Sequence, residues 1–185
     1  NATPDVIDRF RREAESIAAL RHPHILPIHA IGERDDVVFL VLDHVDGESL
    51  DAWLERERTP DLAETARVLR ETAAALGAAH RAGIVHRDLK PENVFLTSIA
   101  GIADVVKLLD FGIARLLEED ALGTLLPPTR TGLRALTPAY ASPEQVSGAP
   151  MTTASDVYSL GVVLYELLAG RRPYDVDGQP PGEVE

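Results

Sequence analysis

An α+β fold that becomes helix-rich toward its C-terminal end is what this sequence predicts. Three observations predict it. Apolar residues recur with helical spacing near the start, the middle and the end of the chain. Two β-rich runs, "ILPIHAIG" and "DVVFLVLDHV", flank the turn-forming "ERDD". Two shorter strand candidates, "VFLT" and "VVKLL", follow a loop crowded with ionisable groups. With 185 residues, 45% of them hydrophobic, the chain suits one domain and can bury a real core.

"TPDVIDRFRREAESIAALRHP" reads as a helix, with Thr3 able to cap it, Pro4 suited to the first turn, and His22-Pro23 stopping it. Phe10, Ile17 and Leu20 form an inward stripe that also carries Glu13, either a carboxylate seeking a cationic partner from outside the helix or a tolerated edge position of the stripe. Of the two strands that follow, the second is apolar nearly throughout and is expected to be buried. "DGESLDAWLERE" reads as a short helix. "TPDLAETARVLRETAAALGAAHRAG" is a longer one, with Leu62, Ala66, Leu69, Ala73 and Leu76 predicted inward and Gly83 as its stop. After "HRDLKPEN" and the two short strands, a polar loop is expected from Asp110 to about Ala149. "ASDVYSLGVVLYELLAG" then reads as a buried helix, with Val157, Leu160, Leu164 and Leu167 in register and Gly170 ending it.

Composition removes several classes of function. The chain has no Cys, so disulfides and thiolate metal sites are excluded. A net charge of −12 argues against a nucleic-acid face, which needs clustered Lys and Arg. The longest apolar stretch is interrupted by Glu166 and is short for a bilayer span, and no signal-peptide pattern opens the chain. The first residue is Asn1 rather than Met, and "GQPPGEVE" ends the chain soon after a helix; both ends read as cut points.

Three separated motifs carry the chemistry. "HRDLKPEN" places His86, Arg87, Asp88, Lys90 and Asn93 within eight positions. "DFG", Asp110 to Gly112, follows a strand directly. "SPE", Ser142 to Glu144, follows "LTPAYA". Their order and spacing agree with the signature set of protein kinases. Over essentially its whole length the chain resembles the eukaryotic-like serine/threonine protein kinases. "SPEQ" and "TTASDVYSLGVVLYELLAGRRPY" look like the bacterial members.

The resemblance implies an incomplete two-lobe fold. Residues 1–45 would be the end of the small lobe, with its regulatory helix and hinge, and residues 46–185 the large lobe through its central helix. It implies ATP as phosphoryl donor, Mg²⁺ (or Mn²⁺) as metal, and a protein Ser/Thr hydroxyl as acceptor. Asp88 matches the carboxylate that orients the hydroxyl and takes its proton, Lys90 the lysine on the transferring phosphate, and Asn93 and Asp110 the oxygen ligands of the metal. Leu42 matches the residue behind the adenine pocket, Asp43 to Val45 the hinge, and Phe95 the residue under the adenine ring. Ile17, His86 and Phe111 match an apolar column between the lobes, and Asp156 the aspartate that ties down the catalytic-loop backbone.

Regulation is implied as well. Arg87 beside Asp88 marks kinases whose basic pocket receives a phosphorylated activation loop, for which Thr124, Thr129 and Thr131 are the candidates. Thr137 matches a threonine that supports the catalytic aspartate, although Leu136 departs from the more usual glycine before it. Glu13 matches the glutamate that pairs with a small-lobe lysine, expected before Asn1; Glu144 is expected to meet an arginine beyond Glu185. Without the glycine-rich loop and that lysine, residues 1–185 alone are expected to be weakly active or inactive. Two other readings stand beside this one: a non-catalytic docking module with a kinase-like surface, and a small-molecule phosphotransferase. The need for ATP implies a cytoplasmic location, with membrane anchoring of the parent left open.

Overall fold

A computed structural model describes residues 12, 14–34, 37–57, 60–99, 102–112 and 138–174. Helix α1 is seen over residues 14–18, where Ala14 and Ile17 are buried and Leu20 packs on the core just beyond. Strands β1 (Ile28–Arg34) and β2 (Val37–Leu42) form an antiparallel ribbon. Ile28 pairs with Leu42 but Ala30 with Val41, so His29 is the extra residue of a β-bulge. The expectation of a buried second strand is corrected here. Phe39 is 46% exposed and Val41 is exposed too, because alternation along β2 turns them away from the core on which Leu40 packs; Leu42, at the strand's end, is also exposed. The Phe39 ring covers the backbone of Gly32, its cross-strand partner, where no Cβ fits.

The sequence reading missed β3 (Gly47–Ser49), which it absorbed into a helix. It joins β4 (Val94–Ile99) and β5 (Ile102–Leu108) in a second antiparallel sheet of order β3-β4-β5. Gly47 lies so close to the Leu96 carbonyl and the Phe95 ring that a Cβ would strike both. Helix α2 (Leu50–Glu57) follows and buries Leu50 and Trp53.

Helix α3 (Leu62–Arg81) starts with a reciprocal cap: Glu64 N–H donates to Asp61 Oδ1 at 2.8 Å, and Asp61 N–H to Glu64 Oε2 at 3.1 Å. Gly83, at φ +76°, closes its C-terminal end as expected. The predicted inward stripe holds at Leu76, which is buried, and at Leu69, which packs on the core, and is corrected elsewhere. Leu62 is 74% exposed and Ala66 and Ala73 are exposed, while Thr65, Val68, Thr72, Ala75, Leu76 and Ala79 face in. Thr72 is tolerated there because its hydroxyl donates to the Val68 carbonyl at 2.8 Å.

The expected loop to Ala149 is also interrupted, by a 3₁₀ turn at Pro138–Tyr140 and helix α4 (Pro143–Ser147). Helix α5 (Thr153–Ala169) then runs against α3. Val157, predicted inward, is 63% exposed, whereas Ser155, Asp156, Ser159, Val162, Val163 and Leu167 are buried. The first half of α5 turns polar side chains inward because backbone partners wait there. Ser159 Oγ, for example, donates to Tyr140 O at 2.8 Å. Gly170 caps the helix at φ +65°.

The strand leading into "DFG" is fixed from two sides. Leu26 N–H donates to Leu108 O at 3.0 Å, and Leu108 N–H to His24 O at 2.8 Å. From α3, Glu71 Oε2 accepts from Val106 N–H at 3.0 Å and lies 3.5 Å from His24 Nδ1. No described helix is long and apolar enough to cross a membrane.

Candidate active site

The loop after α3 is held through its backbone. Asp156, 1% exposed in the first turn of α5, accepts from His86 N–H at 2.8 Å through Oδ2 and from Arg87 N–H at 2.9 Å through Oδ1. His80, on the last turn of α3, approaches the same Oδ2 with its Nε2 at 2.7 Å. A carboxylate buried this deeply is tolerable because several donors replace its water. Arg87 adopts φ +68° and Asp110 φ +44°, conformations that a non-glycine residue keeps only when its surroundings impose them.

The same loop is laced to the "DFG" segment. Gly112 N–H donates to His86 O at 2.9 Å, and Leu109 N–H donates to Asn93 O at 2.9 Å. The His86 ring, 0% exposed, donates from Nε2 to Leu109 O at 2.8 Å, while its Nδ1 faces Asp88 N–H at 3.3 Å as acceptor. Both contacts suit the neutral ring. Burial agrees, holding the imidazole below its ordinary 6.5 against the opposing pull of Asp156. The ring lies 4.8 Å from that of Phe111 at 43°, and Phe111 shares the buried core with Ile17.

This framework presents a small polar cluster. The 3₁₀ turn Pro91–Asn93 turns Asn93 back onto Asp88. Asn93 Nδ2 donates to Asp88 O at 2.7 Å and reaches Asp88 Oδ2 at 3.3 Å. Lys90 Nζ stands 3.5 Å from Asp88 Oδ2. With its nitrogen committed, Asn93 has its carbonyl Oδ1 left as an oxygen donor, and the Asp110 side chain is exposed. Asp88, Lys90 and Asn93 are therefore brought together, with Asp110 on the segment tied behind them.

The hinge candidates lie at the other end of the described chain. Asp43 Oδ1 is 2.6 Å from Nε2 of the bulged His29, Val45 is half-buried, and Leu42 ends β2. Phe95 sits in β4 between Ser49 and Lys107, its ring against Gly47. Glu13, Thr124, Thr129, Thr131, Leu136 and Thr137 lie outside the described residues.

Three supports escaped the sequence reading. His80 was not singled out, nor was Gln145. Gln145 Nε2 donates to Arg87 O at 2.8 Å, and the "S-P-E-Q" spacing of a helix N-terminus was its signal. The third is Ser155, whose Oγ donates to Glu144 Oε1 at 2.5 Å; that bond holds the carboxyl below its ordinary range. It is a partner of Glu144 among the described residues; the arginine expected beyond Glu185 is outside them. Tyr140, its hydroxyl pushed up by burial and by Glu166, donates to Glu166 Oε2 at 2.6 Å and pins the segment onto α5.

The protein kinase domain family matches residues 2–182. Serine/threonine-protein kinase Pkn2 of Myxococcus xanthus is 43% identical over 95% of this chain, which covers 20% of Pkn2. Serine/threonine-protein kinase PknA of Mycobacterium tuberculosis is 40% identical over 96% of this chain, which covers 40% of PknA. A probable serine/threonine-protein kinase of Bifidobacterium longum, PknA2, is 37% identical over 92% of this chain, which covers 21% of it. The chain thus spans a fifth to two fifths of these curated relatives. With this match and the loop, "DFG" and "SPE" segments joined in one framework, the chain belongs to the protein kinase domain family, and its relatives are bacterial serine/threonine protein kinases.

Proposed function

We propose that this chain is the catalytic core of an ATP-dependent serine/threonine protein kinase, transferring the γ-phosphoryl group to a protein hydroxyl. The observation that carries the reading is the Asp88 carboxylate, braced by Asn93 and Lys90 on a loop whose backbone Asp156 fixes. A neutral hydroxyl is a poor nucleophile. A positioned carboxylate orients it and accepts its proton as the new O–P bond forms and the bond from the γ-phosphorus to the β,γ-bridging oxygen breaks, ADP leaving. Lys90 is the cation that approaches the transferring phosphate. Residues 1–45 serve as the small-lobe part and 46–185 as the large-lobe part.

The donor set suits a hard divalent cation. Asn93 Oδ1 and the Asp110 carboxylate are oxygen donors, and the Asn93 nitrogen is already spent on Asp88. Mg²⁺ held there would spread the negative charge of the triphosphate. Leu42, Asp43, Val45 and Phe95 are the adenine-side residues, and Glu13 the partner of a phosphate-binding lysine. The sequence has two lysines. Lys107 donates to Pro23 O at 2.6 Å and Lys90 stands beside Asp88, so residues 1–185 alone are expected to bind ATP weakly and transfer slowly. Arg87 receives a phosphorylated activation loop, with Thr124, Thr129 and Thr131 as acceptors and Thr137 supporting Asp88.

The test is transfer of labelled γ-phosphate to Ser/Thr peptides by the full-length protein, alongside Asp88→Asn. The expected result is at least a 10²-fold loss of kcat with KM for ATP changed less than threefold, in line with general-base contributions of roughly 10²–10⁴-fold. Equal activity of the variant would refute Asp88 as the base. ATP binding without transfer in either protein would favour the docking module, and transfer to a sugar but to no protein would favour a small-molecule phosphotransferase.

A further inference from the structure

We infer that Gln145 is a positioning residue for Asp88, linking helix α4 to the loop that carries the catalytic carboxylate; the inference rests on the kinase reading above. Its side chain is used at both ends. Oε1 accepts from Ser142 N–H at 2.9 Å and lies 3.1 Å from Ser142 Oγ, which is the N-terminal cap of α4. Nε2 leaves the helix altogether and donates to Arg87 O at 2.8 Å, across 58 positions of sequence.

Arg87 is the residue held at φ +68° immediately before Asp88. Its N–H is taken by Asp156 Oδ1 at 2.9 Å and its C=O by Gln145 Nε2 at 2.8 Å. The peptide units on both sides of Arg87 are therefore fixed, one by α5 and the other by α4. The second of them is the Arg87–Asp88 peptide, so its orientation sets where the Asp88 side chain leaves the backbone. Helix α4 is in turn tied to α5 through Glu144 and Ser155. A shift of α4 is thereby passed to the Arg87–Asp88 peptide through one amide.

Two variants separate this role from plain helix capping. Gln145→Glu keeps an oxygen for Ser142 N–H, and its charge favours a helix N-terminus, but it loses the donor and turns an anion on the Arg87 carbonyl. Gln145→Leu loses both functions. In the full-length protein both variants are expected to lose about tenfold in kcat with KM for ATP within twofold, a loss of the order of one hydrogen bond. Only Gln145→Leu is expected to melt earlier. Amide exchange at Arg87 and Asp88, read by NMR, should speed up at least tenfold in both. If Gln145→Glu keeps wild-type kcat and exchange while Gln145→Leu loses activity in step with its Tm, Gln145 is only a cap and the inference is overturned. If the wild type transfers no phosphate at all, the kinase reading has failed, and the exchange comparison alone still decides whether Gln145 orders the loop.

Discussion

Asp156→Ala should cost this protein much of its stability, and the cost can be worked from three contacts. The substitution strips acceptors from His86 N–H, Arg87 N–H and the His80 ring at once. A buried donor left unpaired costs roughly 1–3 kcal/mol. The His86 amide is fully buried and takes the upper part of that range, whereas half-buried Arg87 can recover part of its loss from water. The sum is about 3–5 kcal/mol, against a net stability of about 5–15 kcal/mol for an ordinary domain. Asp156→Asn separates the contributions. One carboxamide oxygen can still accept a backbone N–H, but the NH₂ group then faces a donor, so about half the loss is expected. Urea unfolding at pH 7 gives the free energies, and amide exchange at His86 and Arg87 locates the damage. An Asp156→Ala protein within 0.5 kcal/mol of wild type, with both amides still protected, would refute the claim that this carboxylate holds the loop.

Other consequences are open to measurement. Burial lowers the folded pKa of His86 below its unfolded value near 6.5, so stability is complete above about pH 6.5 and falls as pH drops toward the folded pKa. His86→Gln should flatten the pH dependence of the unfolding free energy from urea melts between pH 7.5 and 5.5 by up to about 1.4 kcal/mol per pH unit; an unchanged slope would contradict the buried neutral ring. Gly47→Ala should destabilise by about 1–3 kcal/mol because its Cβ meets the Leu96 carbonyl, a backbone atom that cannot swing away. Gly32→Ala should cost less than Gly47→Ala, since the ring it meets is exposed Phe39; thermal melts giving the reverse order would dismiss the distinction. The Ser155 hydroxyl lowers the Glu144 pKa below 4.5, so its contribution is present above that pH and lost as pH falls through the folded value. Acid titration of Ser155→Ala should show less stability lost below pH 4.5 than wild type, and an identical profile would discount the bond.

Much of this architecture was legible because it is local. The apolar runs on either side of "ERDD" found the β1–β2 ribbon, and the Gly83 and Gly170 stops fell where the chain turns left-handed. Hydropathy misled wherever a polar side chain brought its own partner inward. Thr72 bonds within its helix, Ser159 bonds to Tyr140, and Asp156 bonds to the loop, so stripes drawn through apolar residues alone are right at Leu76 and Leu167 but rotated off the buried face at Leu62, Ala66, Ala73 and Val157. β3 was missed because three residues of "GES" have no strand signature of their own; they become a strand by pairing with Thr97, Leu96 and Phe95, some fifty positions away. At the site, the residues that the structure brings together, Asp88, Lys90 and Asn93, stand out in "HRDLKPEN". Of their braces, His80 had no signal, since one imidazole carries no period, and "S-P-E-Q" marked Gln145 as a helix cap but not its bond to Arg87 across 58 positions.

The clamps on the segment around Arg87 grip main-chain atoms: two N–H groups and a carbonyl by side chains, and another carbonyl by Gly112. Peptide groups are common to nearly all amino acids. A mutation in the codon for Arg87 can therefore replace a guanidinium with another head group while leaving these handholds in place. Inheritance of the Asp88 geometry is in this way uncoupled from inheritance of whatever the Arg87 side chain recognises. Substitution at this one position can change the head group displayed beside Asp88 and retain the backbone frame beneath it.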